Sequence, residues 1–569
     1  MSDKKQSDVK QPGWLCKVWL WVKRWWLPIA ILLITSTGLA CALSIPQQVF
    51  ETPREPANDK SAPVLLAQSN LRLAFLYITG GAIAVVGLIE TFRKNNNEKL
   101  KNDQDKEKND REHLRQVRAD RRERYTKAVE QLGDEKAPIR MGGVYTLVGL
   151  VDEWLEDKSI EKYEDRLKEG QVIINNLCAY IRSPFTLTSY YDELSEDAPS
   201  LEGSYKDKKE EFYVDKAILD SEADVRLGII KEIHNRLQDP EINTPGAWSD
   251  FEYDFSGSIF FYSVDLTNSY YTKYVNFSGA TYQDRANFRG STYQGRANFR
   301  NSTYQKETNF DDSAYQWVDF RNSTYHSWVD FRNSTYEGEA VFDGSTYRDW
   351  ANFRNSIYQA LADFSRSTYQ AWADFSSSTY QALANFSSST YQALANFSRS
   401  TYQGWADFSR STYQGWADFS RSTYENETDF SGSIFYQKVY FGADGDNSSF
   451  SRFTDCAPQF YDETNRKNTL FGSPDNNFTV ENGRGYPIYR NLEGLPLGCK
   501  FLTSEQKEYL ADKFQEIEET NNKLLEVKDD EEKANLIETL LSFYYNIWNW
   551  HWEATTVNVE DVAAEDTES

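Results

Sequence analysis

The stretch "YQGWADFSRSTYQGWADFSRSTY", residues 402 to 424, contains two nearly identical units. Each unit carries one Phe and one Tyr, as at Phe408 and Tyr413, and each also carries a Trp, at Trp405 and Trp416. The unit repeats every eleven residues. A fixed short period of this kind is typical of repeat architectures in which each unit packs against its neighbours.

The eleven-residue period extends far beyond this stretch. One series of aromatic centres consists of Phe277, Phe288, Phe299 and Phe310 and, after one shortened step, Phe320, Phe331, Phe342, Phe353, Phe364, Phe375, Phe386, Phe397, Phe408, Phe419, Phe430 and Phe441. A Tyr follows most of these five residues later, from Tyr282 to Tyr424. Each repeat therefore divides into a step of five residues and a step of six.

A small residue lies two positions before each centre, as Ala286 does before Phe288. A unit this short cannot bury its own aromatic side chain, so burial requires stacking of successive coils at the ~4.8 Å spacing of β-strands. A helical supercoil with an eleven-residue repeat is disfavoured because Gly, Ser, Thr and Asn are too frequent. Propeller repeats are far longer.

The units "ANFRG" and "STYQG" resemble pentapeptide repeats, in a variant with alternating five- and six-residue steps. That resemblance implies a right-handed, four-sided β-helix with stacked Phe and Tyr inside and small Ala and Ser beside them. Four units per coil give about eight coils and a rod of roughly 40 Å.

A second resemblance covers roughly residues 20 to 440. The segments "RYTKAVEQLGDEKAPIRMGGVYTLVGL", "NNLCAYIRSPF" and "DVRLGIIKEIHNRL" resemble the region between two membrane helices and a repeat solenoid in bacterial membrane-anchored pentapeptide-repeat proteins. The resemblance implies the same architecture here. It carries no information about activity.

The sixth residue of each repeat is the candidate functional position. In the familiar pattern it points away from the core and is polar, whereas here the middle of the run is apolar. Because alternate units share a face, two columns are expected. One contains Trp328, Trp350, Trp372, Leu394 and Trp416, and the other, on the opposite side, contains Trp317, Leu361, Leu383 and Trp405 and is interrupted by Glu339. Two interpretations stay open: packing over neighbouring coils, or aromatic ridges for a protein partner.

Two apolar segments, 25–45 and 72–92, are each long enough to cross a ~30 Å hydrocarbon core as a helix. Lys and Arg precede the first and follow the second, so the positive-inside rule predicts that both termini are cytoplasmic in a bacterial inner membrane. The alternative is that the first segment is a cleaved signal peptide, since Ala40-Cys41-Ala42 resembles a small-x-small site.

The fold class is therefore mixed: two transmembrane helices, a small α-helical domain, and a right-handed quadrilateral β-helix (a pentapeptide-repeat solenoid) with a helical C-terminal region. The predicted division is a cytoplasmic N-terminus at 1–24, transmembrane helices at 25–45 and 72–92, a short external loop at 46–71, a charged stalk at 93–124, an α-helical domain at 125–240, the β-helix at 250–441, an irregular cap at 442–500, a helical hairpin at 501–553 and an acidic tail at 554–569. The hairpin could pack on the rod or form a dimer contact.

Composition argues against several function classes. A net charge of -25 disfavours a general nucleic-acid binder. The four His have no metal-ligand spacing, and the five Cys form no CxxC pair; Cys456 and Cys499 could pair only if the protein were exported, and isolated thiols are favoured. Motifs of phosphate loops, nucleophile elbows and zinc proteases are absent. We therefore predict no enzyme activity, cofactor or metal.

The favoured function is a membrane-tethered cytoplasmic scaffold that binds another protein through the β-helix. The predicted partners are the lipid bilayer and an unknown protein, with a homo-oligomer open and no direct nucleic acid. The alternative is a DNA mimic that inhibits or protects a DNA-binding protein such as gyrase. Against it, Arg289, Arg300, Arg321 and Arg332 lie where a mimic would require carboxylates. An enzyme or transporter has the least support, because the apolar segments have only Arg72 and Glu90 at their edges.

Overall fold

The computed structural model describes residues 14–50, 62–201, 203–241, 243–442, 450–481, 483, 485–527 and 530–556. The chain divides into two compact units, Met1–Arg122 and Glu123–Ser569. In the first unit, α1 (Trp14–Val49) and α2 (Ala62–Leu132) are both long and apolar enough to cross a membrane by length and composition. The two apolar segments expected from the sequence lie in these helices.

Both helices are longer than the predicted spans. Helix α2 begins ten residues before the predicted second span at 72–92 and continues without a break through the predicted stalk at 93–124. The stalk is helical because nothing in it stops a helix: it lacks Pro and Gly, and oppositely charged side chains lie one turn apart, as in the ion pair of Arg111 with Glu107. The helix ends at Leu132, directly before Gly133, and Gly is the residue most often found just past a helix C-terminus.

The second unit begins with helices whose apolar faces form one core. After the last turns of α2 come α3 (Ala137–Glu156), α4 (Tyr163–Arg182), a 3₁₀ helix (Thr186–Tyr190), α5 (Tyr191–Leu194) and α6 (Lys209–Leu237). Pro138 lies in the first turn of α3, where its missing N–H costs nothing.

These helices cover the first coil of the rod. The Arg226 guanidinium, 2 % exposed, donates to the carbonyl oxygen of Ile181 at 2.7 Å and lies 5.5 Å from the centroid of the Phe261 ring. Trp248 Nε1 donates to Asp152 at 2.8 Å. Buried polar groups with complete partners therefore join the helical domain to the start of the solenoid.

From residue 253 the chain forms a parallel β-solenoid with four faces, which confirms the predicted β-helix. Every coil visits faces 1, 2, 3 and 4 in turn; faces 1 and 3 carry Phe and lie opposite each other, and faces 2 and 4 carry mainly Tyr. Face 1 has nine strands in register, one more than the eight coils expected.

The strands, numbered in chain order, are as follows. Face 1 consists of β3 (Val264–Asp265), β7 (Ala286–Asn287), β10 (Thr308–Asn309), β13 (Val329–Asp330), β17 (Ala351–Asn352), β21 (Ala373–Asp374), β25 (Ala395–Asn396), β29 (Ala417–Asp418) and β33 (Val439–Tyr440). Face 2 consists of β4 (Tyr270–Tyr271), the first parts of β8 (Thr292–Asn298) and β11 (Ala314–Asp319), β14 (Thr335–Tyr336), β18 (Ile357–Tyr358), β22 (Thr379–Tyr380), β26 (Thr401–Tyr402), β30 (Thr423–Tyr424) and β34 (Arg452–Phe453).

Face 3 consists of β1 (Tyr253–Asp254), β5 (Val275–Asn276), the second parts of β8 and β11, β15 (Ala340–Val341), β19 (Ala362–Asp363), β23 (Ala384–Asn385), β27 (Ala406–Asp407) and β31 (Thr428–Asp429). Face 4 consists of β2 (Ile259–Phe260), β6 (Thr281–Tyr282), β9 (Thr303–Tyr304), β12 (Thr324–Tyr325), β16 (Thr346–Tyr347), β20 (Thr368–Tyr369), β24 (Thr390–Tyr391), β28 (Thr412–Tyr413), β32 (Ile434–Phe435), β37 (Leu470–Phe471) and β38 (Lys500–Phe501). A separate hairpin pairs β35 (Tyr461–Asp462) with β36 (Lys467–Asn468).

The core of the solenoid is a set of aromatic stacks. Along face 4 the rings of Tyr369 and Tyr391 are parallel with centroids 4.9 Å apart, and along face 1 those of Phe375 and Phe397 are 5.0 Å apart. Phe rings of opposite faces meet edge to face, as Phe375 and Phe386 do at 5.0 Å. Both geometries are favourable for aromatic pairs, so each ring makes favourable contacts with rings in its own coil and in the neighbouring coils.

Polar residues shape the corners between faces. Asp374 Oδ1 accepts from the backbone N–H of Ser376 at 3.0 Å, and Ser377 follows with a φ of 60°. Ser378, facing inward, donates through Oγ to the carbonyl oxygen of Phe353, and its own N–H donates to Ser400 Oγ in the next coil. An Asx turn, one left-handed residue and a Ser ladder therefore make the bends from face 1 to face 2 and from face 3 to face 4.

The C-terminal part of the solenoid differs from the prediction of an irregular cap at 442–500. The eleven-residue period does end at Phe441, but aromatic stacking continues for another coil: Phe453 stacks on Tyr424, Phe460 on Phe430 and Phe471 on Phe435. Connections of unequal length supply these rings, so no period in the sequence reveals them.

The predicted hairpin is formed by α7 (Ser504–Glu526) and α8 (Asp530–Ala554) and packs on face 4. Thr503 begins α7 with a capping box shared with Gln506. Tyr544 OH accepts from Gln392 Nε2 at 2.7 Å. The buried His551 ring accepts from Thr412 Oγ1 at 2.9 Å through Nδ1 and donates through Nε2 to the carbonyl oxygen of Gly432.

The tyrosine stacks should make the rod sensitive to alkali. Burial raises the pKa of Tyr369 well above its usual value of 10.0, and its hydroxyl has no hydrogen-bond partner among the described residues. A pKa raised on folding adds stability that is complete below the unfolded value and is lost as the pH rises above it. We expect stability to fall above about pH 10, with tyrosinate absorbance at 295 nm appearing together with loss of the β circular dichroism signal. Ionisation of the stacked tyrosines in an intact rod would contradict this.

Acid should loosen the hairpin from face 4. Burial lowers the pKa of His551 to about 4, with Lys467 adding to the effect, and burial likewise lowers the pKa of His326 on the same face. A lowered histidine pKa gives stability that is present above about pH 6.5 and is lost as the pH falls toward 4. Hydrogen exchange of α8 should therefore rise about tenfold or more from pH 7 to pH 5, after correction for intrinsic rates. The His326→Gln/His551→Gln variant should lose this difference; an equal rise in it would contradict the assignment.

Candidate interaction surface

The sixth residues of the repeats form two columns on opposite sides of the solenoid. The column called here the Trp column lies at the corner between faces 4 and 1 and contains Trp328, Trp350, Trp372, Leu394 and Trp416. The column called here the interrupted column lies at the corner between faces 2 and 3 and contains Trp317, Glu339, Leu361, Leu383, Trp405 and Glu427. Strand register fixes both, since Ala351 is paired with Ala373, and Ala362 with Ala384.

The backbone explains why these side chains point outward. Trp372 O accepts from the N–H of Ala351 at 3.0 Å, and Trp416 O accepts from that of Ala395 at 2.8 Å. The backbone of the sixth residue thus still takes part in the hydrogen bonds between coils. Because the interior is filled by fully buried Phe, Tyr, Ala and Ser, its side chain can lie only on the surface.

The Trp column is both packed and exposed. The indoles of Trp350 and Trp372 stack with centroids 5.6 Å apart, and Trp416 meets the Tyr440 ring edge-on at 6.3 Å. Trp328, Trp372 and Trp416 are nevertheless 36 %, 42 % and 53 % exposed. Each indole covers a neighbour with part of its surface and presents the rest to solvent, so the two interpretations of the sequence both describe part of the arrangement.

The interrupted column offers less apolar surface. Trp317 lies 3.4 Å beneath the Arg296 guanidinium, and its Nε1 donates to Glu339 at 3.3 Å. It also differs from the other members in two ways. Its repeat is one residue short, and Trp317 lies within the unbroken strand β11, where it pairs with Arg296 across a register shift. Leu361 and Leu383 are half-buried, and only Trp405, 44 % exposed, resembles the members of the Trp column.

Helix α8, in the hairpin for which the sequence predicts packing on the rod or a dimer contact, carries another exposed apolar surface. Its members are Ile537, Leu541, Tyr545, Trp548 and Trp552. They recur at helical spacing on the side away from the buried residues Leu540 and Ile547. In the sequence, the sign of this surface is a second apolar stripe on α8. The homo-oligomer stays a prediction.

The charged and nucleophilic groups have structural roles. Arg289 pairs with Asp312 at 2.8 Å, and Arg321 with Asp319 at 2.5 Å. Burial raises the pKa of Cys178 to about 12, which makes its thiol unreactive. Within the described residues no group of His, Cys, Asp and Glu could hold a metal ion, and Cys456 and Cys499 are free thiols. These groups therefore hold the rod together, and the geometry around them offers surfaces for contact.

Comparisons with protein-family models, with curated proteins and with solved structures found no match. The solenoid, with its regular Phe, Tyr, Thr and Ala ladders, is consistent with the pentapeptide-repeat type, and a β-solenoid scaffold suits protein interaction.

Solvent access should differ sharply among the indoles. In the chain labelled with 5-fluorotryptophan and assigned by single Trp→Phe variants, iodide should broaden the ¹⁹F signal of Trp416 most among the Trp residues of the two columns, then those of Trp405 and Trp372. Trp248, which is fully buried, is the internal control and should not respond. Equal responses of Trp416 and Trp248 would show that the Trp column is covered.

Proposed function

We propose that this protein is a non-enzymatic scaffold, tethered to the bacterial inner membrane, whose solenoid binds another protein through the Trp column. The observation that carries the proposal is the continuity of the column: five large apolar side chains on successive coils, over roughly 20 Å. Contiguous exposed apolar surface on an otherwise polar rod is typical of interaction sites, and Trp is the residue most enriched at binding hot spots.

The tether is supported by the two apolar helices and by their flanking charges. The residues before Trp25 and those after Phe92 are rich in Lys and Arg, whereas the segment between the helices has few. The positive-inside rule then favours a cytoplasmic solenoid. The Phe and Tyr ladders support assignment of the solenoid to the pentapeptide repeats. Comparison of protease protection in right-side-out and inverted vesicles tests the orientation; protection of the solenoid in inverted vesicles would contradict it.

The alternative of a DNA mimic has less support. Arg289, Arg321 and Arg332 each lie within 4 Å of an Asp of the rod, so acidic side chains there are neutralised by neighbours rather than presented in phosphate-like rows. Addition of the detergent-solubilised chain to a gyrase supercoiling assay tests the alternative directly. Inhibition or protection at stoichiometric amounts would favour it over the scaffold.

A site-specific photo-crosslinker tests the scaffold. Placed at Trp372 in the full chain in native membranes, it should form an adduct with one protein; placed at Gln381, an exposed residue of face 2, it should not. Changing Trp328, Trp350 and Trp416 to Ser should abolish the adduct, because truncation of hot-spot residues costs roughly 2 kcal/mol or more each. Equal capture from both positions, or capture unaffected by these changes, would contradict the proposal.

A further inference from the structure

The exposed apolar residues of α8 form one narrow surface, called here the α8 stripe. Each member is between 42 % and 63 % exposed, and the members are Ile537, Leu541, Tyr545, Trp548 and Trp552. At 3.6 residues per turn they fall within an arc of about 80° and extend over roughly 22 Å of the helix axis. The hairpin packs through a different face of α8, where Leu540 and Ile547 form a cluster with Ile517 and Leu524 of α7.

The aromatic rings of the stripe contact neighbours that restrain them. The rings of Tyr545 and Trp548 stack with centroids 6.3 Å apart, and Lys467 Nζ of the rod lies 3.4 Å from the centroid of the Trp552 ring. Lys467 Nζ also donates to the carbonyl oxygen of Trp552 at 2.9 Å. Side chains that are already ordered lose little entropy on binding, so an aromatic surface of this kind favours association.

The size of the stripe suits a dimer. About half of each aromatic side chain is exposed, which leaves roughly 100 Å² on each. With the two aliphatic side chains, the stripe presents roughly 500 Å² of apolar surface, as much as the largest patch on an ordinary monomer. Two stripes placed face to face remove about 1,000 Å² from water, which is the lower limit for a specific interface.

The distribution of side-chain volume along the stripe complements its own reverse. The aliphatic residues Ile537 and Leu541 lie toward the N-terminus of α8, the indoles of Trp548 and Trp552 toward its C-terminus, and Tyr545 between them. When two copies of α8 pack antiparallel, each indole therefore faces an aliphatic side chain, and the two Tyr545 rings meet near the symmetry axis. Large residues opposite small ones fill an interface evenly, whereas parallel helices would place indole against indole at one end.

We propose that the α8 stripe binds the α8 stripe of a second copy of this chain, with the two helices antiparallel about a two-fold axis. Trp552 then packs against Ile537 of the partner subunit, and Trp548 packs against Leu541 of the partner subunit. The proposal does not depend on the Trp column, which belongs to the rod. A dimer presents two Trp columns, so a ligand with two binding sites would gain avidity from it.

Charge argues against the bilayer as the cover of the stripe. Between Ile537 and Trp552 the helix contains one carboxylate, that of Glu538, and no Lys or Arg. Helices that lie in the membrane interface carry Lys or Arg on their polar face, where these residues meet anionic lipids. The chain has a net charge of -25, so two copies repel each other at long range, and an apolar surface with few charges is where they can approach.

Sedimentation velocity of the full chain in detergent, over a series of concentrations, tests the proposal. We expect a reversible dimer of the wild-type chain. Trp548→Glu should raise the dissociation constant of the dimer at least about tenfold, because it places a carboxylate in an apolar interface. Trp416→Glu is the matched control, since Trp416 and Trp548 are both 53 % exposed, and it should leave the dimer unchanged. Circular dichroism and thermal unfolding of both variants should match those of the wild-type chain.

Engineered cysteines test the antiparallel arrangement while most of the stripe stays intact. A Tyr545→Cys chain should form a disulfide with its own second copy. A Leu541→Cys chain should form one only with a co-expressed Trp548→Cys chain, because the two Leu541 positions lie about 10 Å apart along antiparallel helices. The wild-type chain gives the background from the native cysteines.

Several results would overturn the proposal. A wild-type chain that stays monomeric at high micromolar concentration, or a dimer that survives Trp548→Glu, would show that the stripe does not join two copies. Equal loss of the dimer in Trp416→Glu would assign the interface to the Trp column, and a disulfide of Leu541→Cys with its own second copy would show parallel helices. Quenching of Trp548 by brominated lipid in nanodiscs, in a chain that stays monomeric, would show that the bilayer covers the stripe. The photo-crosslinker at Trp372 reads the Trp column separately, so the dimer and the scaffold can fail independently.

Discussion

The structure depends on one constraint: each coil must place its aromatic rings directly above those of the coil before it. Parallel stacks such as Tyr369 on Tyr391, 4.9 Å apart, recur regularly because the corresponding sides of most successive coils have the same length. The Ser ladder enforces that length, because Ser378 bonds forward to Ser400 and back to Phe353. Ring stacking buries the apolar surface of the core. The buried Ser ladder fixes the register between coils, and so which ring lies above which.

The same constraint explains why the side chains of the sixth residues lie on the surface of the rod. An additional residue in one coil alone would disturb the register, but a residue repeated at the same corner of every coil keeps the ladder intact, as the bonds from Ala351 to Trp372 and from Ala395 to Trp416 show. Its side chain then has no interior position. The two repeats around Trp317 show the limit of this rule: one missing residue is absorbed as a register shift within continuous strands, and the core is undisturbed.

Much of this fold follows from residues near one another in sequence. The eleven-residue period predicts the stacks, the faces and the columns because every contact repeats at a fixed separation. What could not be predicted lies where that regularity ends. The rings of Phe453, Phe460 and Phe471 join the core through loops of unequal length. Helix α2 runs through a supposed boundary at residue 124, since charge density marks solvent exposure and not a helix end.

The sequence left the docked face of α8 open for a different reason. A helix can bury one apolar face, and "FYYNIWNWHW" has enough apolar residues for two. Sequence periodicity shows both stripes but not which one meets the rod. The structure decides through His551 and Tyr544, whose polar atoms find partners on face 4. A buried polar residue with a specific partner selects the docked face, and the remaining apolar stripe is exposed by default.

A surface built on stacked coils inherits their spacing. Any ligand that follows the rod must therefore have a repeat close to a multiple of ~4.8 Å, or it loses contact within a few coils. Differences between odd and even coils can lengthen the interval without changing the backbone, as the alternation of Asp and Asn beside Trp372 and Leu394 does. The solenoid thus separates two requirements that compete in compact domains. Ring size and Ser ladders set the fold, while the side chains at an outward corner set the character of the surface.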